Sequence, residues 1–136
     1  MDKKNFTLRE ANALLPYVRE DIRRLQETKS EFVKKSMMLR ELIFKHQQAA
    51  TEPPADAVFQ LEAGLEFLQM ETKTLSDSIR LKGAELRDVD KGLVDFPGII
   101  DGEEVWLCWK MGEDRIEYYH GADEGYRLRK RLANEE

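Results

Sequence analysis

The residues able to do chemistry crowd into Gly92–Gly121, "GLVDFPGIIDGEEVWLCWKMGEDRIEYYHG", which holds the single cysteine, Cys108, and one of two histidines, His120. A thiol and an imidazole are the raw material of nucleophilic catalysis or of a metal centre, and Asp95 and Glu113 add carboxylates. Each chemistry sets a condition. A catalytic thiolate needs a base or a positive neighbour, whereas an adjacent carboxylate raises its pKa. A metal needs several donors on one side of the same sheet. Strand register therefore decides between them.

Asp101-Gly102 predicts a two-residue hairpin turn, because both central positions favour positive φ. That turn pairs Ile100 with Glu103, Phe96 with Leu107, Asp95 with Cys108 and Val94 with Trp109. The next turn is placed within "GEDR", Gly112–Arg115, pairing Lys110 with Glu117, Trp109 with Tyr118 and Leu107 with His120. A tighter loop shifts each partner by two residues and leaves the faces unchanged. One face then carries Val94, Phe96, Val105, Leu107, Trp109, Ile116 and Tyr118, with His120 at its end. The other carries Asp95, Trp106, Cys108, Lys110, Glu117 and Tyr119. Pro97 implies an edge position for its strand. On this register Cys108 and His120 point apart, and Glu113 stands roughly 20 Å from His120 along an extended strand. Cys108 is expected to be a packed, unreactive thiol and His120 a hydrogen-bonded strand-end residue. Neither a metal nor a cofactor is expected, unless donors assemble across two subunits. No phosphate loop or nucleophile elbow is present, and His46 stands alone.

The elements that position this segment change character near Gly83. Thr7 and Glu10 form a capping box, with Phe6 packing back on Ala11 as a staple. Pro16 is expected to end or kink this first helix and to open a long one to about Gln48. There Val18, Ile22, Leu25, Phe32, Leu39 and Ile43 follow a heptad, interrupted by Lys29 and Ser36. "TEPPAD" breaks the chain, with Asp56 as the expected cap of a further helix to about Lys82. Val58, Leu61, Leu65, Leu68, Thr72, Leu75 and Ile79 make its seam, the pattern of a coiled-coil pair.

The predicted fold is α+β in one domain spanning 1–136. A short capped helix and a long one occupy 1–50, a Pro-rich turn 51–56, and a second long helix 57–83. A three-stranded antiparallel meander follows over 84–121, and a basic and acidic tail over 122–136. Each long helix reaches about 40 Å, further than the small sheet can cover. A homodimer is expected to bury the remainder, with a monomeric hairpin as the alternative.

Composition narrows the classes. The net charge of −5 opposes general affinity for nucleic acid or anionic lipid. Arg127, Arg129, Lys130 and Arg131 form a basic cluster beside Tyr126, but Asp123, Glu124, Glu135 and Glu136 offer local partners. No window supplies the roughly 20 apolar residues of a membrane span, and no secretory leader is evident. One cysteine forms no internal disulfide. A cytoplasmic location follows.

"FTLREANALLP" with "GLVDFPGIIDGEEVWLCWKMGEDRIEYYHGADEGYRLR" resembles the bacterial proteins catalogued as domain of unknown function 2203. The resemblance rests on Gly92–Pro97, Leu107–Trp109, Gly112–Glu113, His120, Gly125 and Arg129, with Tyr126 in a closing glycine–aromatic element. It implies no activity or cofactor, but singles out Asp95, Cys108, Trp109, Glu113, His120 and Arg129 as candidate functional residues. Arg129 has a structural alternative, reaching back to Asp95 or Glu113. Two functions follow: a non-enzymatic self-associating interaction module with a possible protein partner, or a small metal-binding protein or enzyme built on those residues. The first is preferred on the register argument.

Overall fold

A computed structural model describes residues 5–133. Two helices, α1 (Leu8–Gln48) and α2 (Ala55–Leu81), form an antiparallel hairpin. Five strands follow: β1 (Glu85–Asp88), β2 (Leu93–Ile100), β3 (Glu103–Lys110), β4 (Tyr118–Gly121) and β5 (Lys130–Arg131). They make one antiparallel sheet in chain order. The class is α+β as expected, but the sheet has five strands rather than three. β1 was not legible because its four residues, ELRD, hold a single apolar side chain and none is fully buried. β5 lies in the segment expected to be a tail.

Thr7 caps α1 as predicted: its Oγ1 accepts from the Glu10 amide at 3.0 Å, and the Glu10 carboxylate accepts from the Thr7 amide at 3.0 Å. Pro16 does not divide the helix, which runs unbroken through it. The cost of its missing amide, about 3 kcal/mol, is set against burial of Ala11, Leu15, Val18, Ile22 and Leu25 on the same face. Asp56 is not the cap of α2. Pro54 occupies that position without a side-chain bond, and Asp56 lies in the first turn, where its charge complements the helix dipole.

The core lies between the sheet and the sheet-proximal ends of both helices. Val94, Phe96, Val105, Leu107 and Trp109 meet Leu15, Val18, Ile22, Leu25, Leu75 and Ile79 there. Further out, α1 has no buried residue after Thr28 and α2 none before Leu68. The expected seams are real at the base and half-exposed at the tip, where Ile43 is 36% exposed.

Register across β2 and β3 is the predicted one, with Asp95 opposite Cys108 and Val94 opposite Trp109. β4 differs. Tyr118 pairs with Cys108, Tyr119 with Leu107 and His120 with Trp106, one residue away from the expected pairing. A one-residue slip exchanges the faces of a strand, so His120 and Tyr118 join Asp95, Trp106 and Cys108, and Tyr119 turns to the core.

The cause is the connection from Met111 to Glu117. Its tight turn comes earlier than "GEDR": the Glu113 amide donates to the Lys110 carbonyl at 3.0 Å, and Gly112 takes φ +106°, as a type II turn requires. The chain then leaves the sheet plane to seat Ile116 in the core, its amide donating to Asn12 Oδ1 at 2.8 Å. Pro97 is accommodated as on an edge, although β2 is an inner strand. β1 pairs no further along β2 than Asp95, and at Pro97 the neighbour is Phe6, whose amide donates to the Pro97 carbonyl at 2.7 Å.

Candidate functional site

On the face turned away from the helices, β2 supplies Asp95, β3 Cys108 and β4 His120. All three are buried: Asp95 is 2% exposed, Cys108 0% and His120 3%. One donor atom from each, an oxygen, a sulfur and a nitrogen, lies within 4.8 Å of the other two. The expectation that the thiol and the imidazole point apart is therefore overturned by the register of β4.

Hydrogen bonding constrains the imidazole. His120 Nδ1 is 3.1 Å from the Gly121 carbonyl oxygen, which only accepts, so Nδ1 carries a hydrogen. Nε2 faces Asp95 Oδ2 at 3.0 Å. That contact is attractive only if a proton lies between the two atoms or a cation is shared by them. Oδ2 also accepts from Arg87 Nε at 2.9 Å, whereas the buried Oδ1 has no hydrogen-bond partner. A buried carboxylate oxygen without a strong donor is costly. The group nearest to supplying one is the Cys108 thiol, whose pKa is raised by burial and further by the charge and hydrogen bonding of Asp95.

Arg87 was not foreseen. It sits at the irregularity of β1 between Leu86 and Asp88, where the register with β2 shifts. A bulge re-aims a side chain; here the guanidinium reaches Asp95 and stacks 4.7 Å from the Trp106 ring centre. The available signal was "ELRDVDKG", a short strand followed by a glycine turn, in which Gly92 takes φ +64°.

Cys108 lies under the Asp95–His120 pair. Burial pushes its thiol up to about 12, the Asp95 charge adds to the rise, and Arg129 opposes it. Arg129 Nη1 is 3.9 Å from the sulfur, while its guanidinium grips Glu113 and lies between Tyr118 and Tyr126, 4.0 and 4.3 Å from their ring centres. Burial works against the charge of Arg129, but Glu113 outweighs it and raises the pKa. Glu113 is thus not remote: it reaches the thiol through one arginine. Its Oε1 also accepts from the Lys110 amide at 3.0 Å, which fixes the turn. Of the two roles considered for Arg129, the tie to Glu113 is the observed one.

Trp109 does not join the group. It is fully buried on the core face, and its indole Nε1 donates to the Glu113 carbonyl at 2.9 Å, supporting the loop from behind. In the basic cluster, Lys130 and Arg131 lie near Glu124 and Glu117 at 4.0 and 3.7 Å. Glu135 and Glu136, named as further partners, lie outside the described residues.

The family model described as "Uncharacterized conserved protein (DUF2203)" matches residues 4–132. The chain belongs to this family. No curated protein and no solved structure matches it. In this DUF2203 protein a cleft of about 490 Å³ opens over the site, lined by Arg87, Asp95, Trp106, His120, Glu124 and Tyr126 among others. Asp95 and His120 line the cleft, and the fully buried Cys108 does not. Among the described residues no helix is long and apolar enough to cross a membrane.

Three chemistries can be weighed on this geometry. A nucleophilic thiolate is disfavoured, because both burial and Asp95 oppose its formation. An acid–base pair of His120 and Asp95 has access to the cleft but is locked between Gly121 and Arg87. A metal ion fits the donor set: sulfur, nitrogen and oxygen together suit zinc and its neighbours in the first transition row.

Proposed function

We propose that this protein binds a divalent transition-metal ion, with zinc the best match, through Asp95, Cys108 and His120, leaving a fourth position toward the cleft. The observation that carries the reading is the convergence of three different donor atoms within 4.8 Å in a buried site. Two features support it. Asp95 Oδ1 has no hydrogen-bond partner and Asp95 Oδ2 faces His120 Nε2, so both oxygens of this carboxylate favour added positive charge. A dication would replace the thiol proton and the proton between Nε2 and Oδ2, so the exchange conserves charge. The Nδ1–H bond to the Gly121 carbonyl is the outer-shell contact that orients a ligating imidazole.

An ion with three protein ligands and one open position polarises a bound water or carbonyl group, which supports metal-assisted hydrolysis or hydration of a small polar molecule in the cleft. A thiolate ligand also suits a reducing compartment such as the cytoplasm. Self-association as an interaction module is the second reading, favoured by the half-exposed outer hairpin.

Protein purified without chelators should contain about one transition-metal ion per chain. Loading the apoprotein with cobalt(II) should give near-ultraviolet sulfur-to-cobalt absorption, lost in Cys108→Ser and weakened in His120→Ala. Because two protons leave, apparent affinity should rise by roughly ten- to a hundredfold per pH unit near neutrality. Wild-type protein that takes up neither zinc nor cobalt above roughly a tenth of an equivalent at pH 8 would sink the proposal.

A further inference from the structure

The outer half of the hairpin carries a second pattern, independent of the metal site. On α1, Val33, Met37 and Phe44 are 48, 61 and 59% exposed. Their spacings of four and seven residues place them on one side of the helix, away from the seam of Leu25, Phe32 and Leu39. On α2, Phe59, Phe67 and Met70 are 70, 64 and 68% exposed, on the side opposite Leu61, Leu68 and Leu75. Each helix thus shows apolar side chains on a face its hairpin partner leaves uncovered.

The charges around these stripes differ in sign. Along α1 beyond Thr28 the basic residues Lys29, Lys34, Lys35, Arg40 and Lys45 outnumber Glu31 and Glu41. From the hairpin turn to Glu71 the charges are all acidic: Glu52, Asp56, Glu62, Glu66 and Glu71. Among the described residues, only Glu71 of these joins an ion pair between the arms, with Arg24 nearer the base. Lys29 pairs with Asp90 at the foot of the arm, and among the described residues no ion pair joins the other charges of one arm to those of the other.

We infer that this surface receives a second copy of the chain. A two-fold axis sets α1 of one hairpin against α2 of the other, so each basic, apolar stripe meets an acidic one twice over. The result is a four-helix bundle at the tip of the hairpin, remote from the cleft. A single chain is self-complementary in this way only because its two arms carry opposite charge.

The test is a charge exchange followed by sedimentation or light scattering. Wild-type protein should be dimeric at roughly 100 µM. Lys34→Glu with Arg40→Glu turns the α1 stripe acidic at those two positions, and Glu62→Lys with Glu66→Lys turns the α2 stripe basic at those two. Each doubly substituted protein should bind itself at least about a hundredfold more weakly, since like charges then face each other at both contacts. An equimolar mixture of the two should recover a dimer, because both contacts are again complementary. All four positions are on the hairpin surface, and helical circular dichroism checks that the variants stay folded. A monomeric wild type, two variants that still dimerise alone, or a mixture that stays monomeric would each overturn the inference.

Discussion

At the scale of single residues, Cys108 shows why position outweighs identity. Its thiol is fully buried, and its pKa is lifted from 9.0 to about 12 by burial first and by Asp95 second. The metal-free protein should therefore resist alkylation at pH 8 and react only when unfolded; rapid labelling of native protein would contradict this. The same shift has a signed effect on stability. The native state holds a proton that the unfolded chain releases near pH 9, so the contribution is complete below that pH and is lost as pH rises toward 12. Urea unfolding should show wild-type stability falling relative to Cys108→Ser between pH 8 and 11. The sequence placed a packed thiol opposite Asp95, because the Asp101-Gly102 turn fixes the pairing of β2 with β3 locally. It did not foretell the imidazole on the same side.

At the scale of elements, the joints decide the site. The β2–β3 joint is a tight turn written in adjacent letters, with Asp101 at φ +52° and Gly102 at φ +82°. The β3–β4 joint is not legible in this way. Whether an odd or an even number of residues separates the strands depends on Ile116 finding the core and on Asn12, far away in sequence, bonding to it. The bulge that aims Arg87 and the fold-back that brings Arg129 over Cys108 are likewise decided by distant contacts. A third joint links α2 to β1. Gly83 takes φ +96°, and a Cβ there would lie 2.8 Å from the Phe6 ring. Gly83→Ala should destabilise the fold by roughly 1–3 kcal/mol, read as a lower urea midpoint with an unchanged slope. Full stability in that variant would mean that the joint relaxes without strain.

At the scale of the whole molecule, one end is a packed α+β core and the other a two-helix arm that buries nothing completely. If the core end binds a metal only when folded, saturating zinc must stabilise the protein: a hundredfold excess over Kd adds about 2.7 kcal/mol. Thermal unfolding should shift upward by several degrees with zinc, and not at all in Cys108→Ser combined with His120→Ala. A shift that survives that double substitution would place the ion elsewhere. By itself the sequence determined what depends on near neighbours. These features are the capping box of Thr7 and Glu10, the helical periodicities, the hairpin of β2 with β3, and the unfavourable setting of the Cys108 thiol. Only the tertiary structure decided that Asp95, Cys108 and His120 converge, that Glu113 joins them through Arg129, and that Lys130 and Arg131 of the tail form a fifth strand. Side chains alternate along a strand, so one residue more or fewer in a connection reverses a face, and that count is settled by packing against helices far away in the chain.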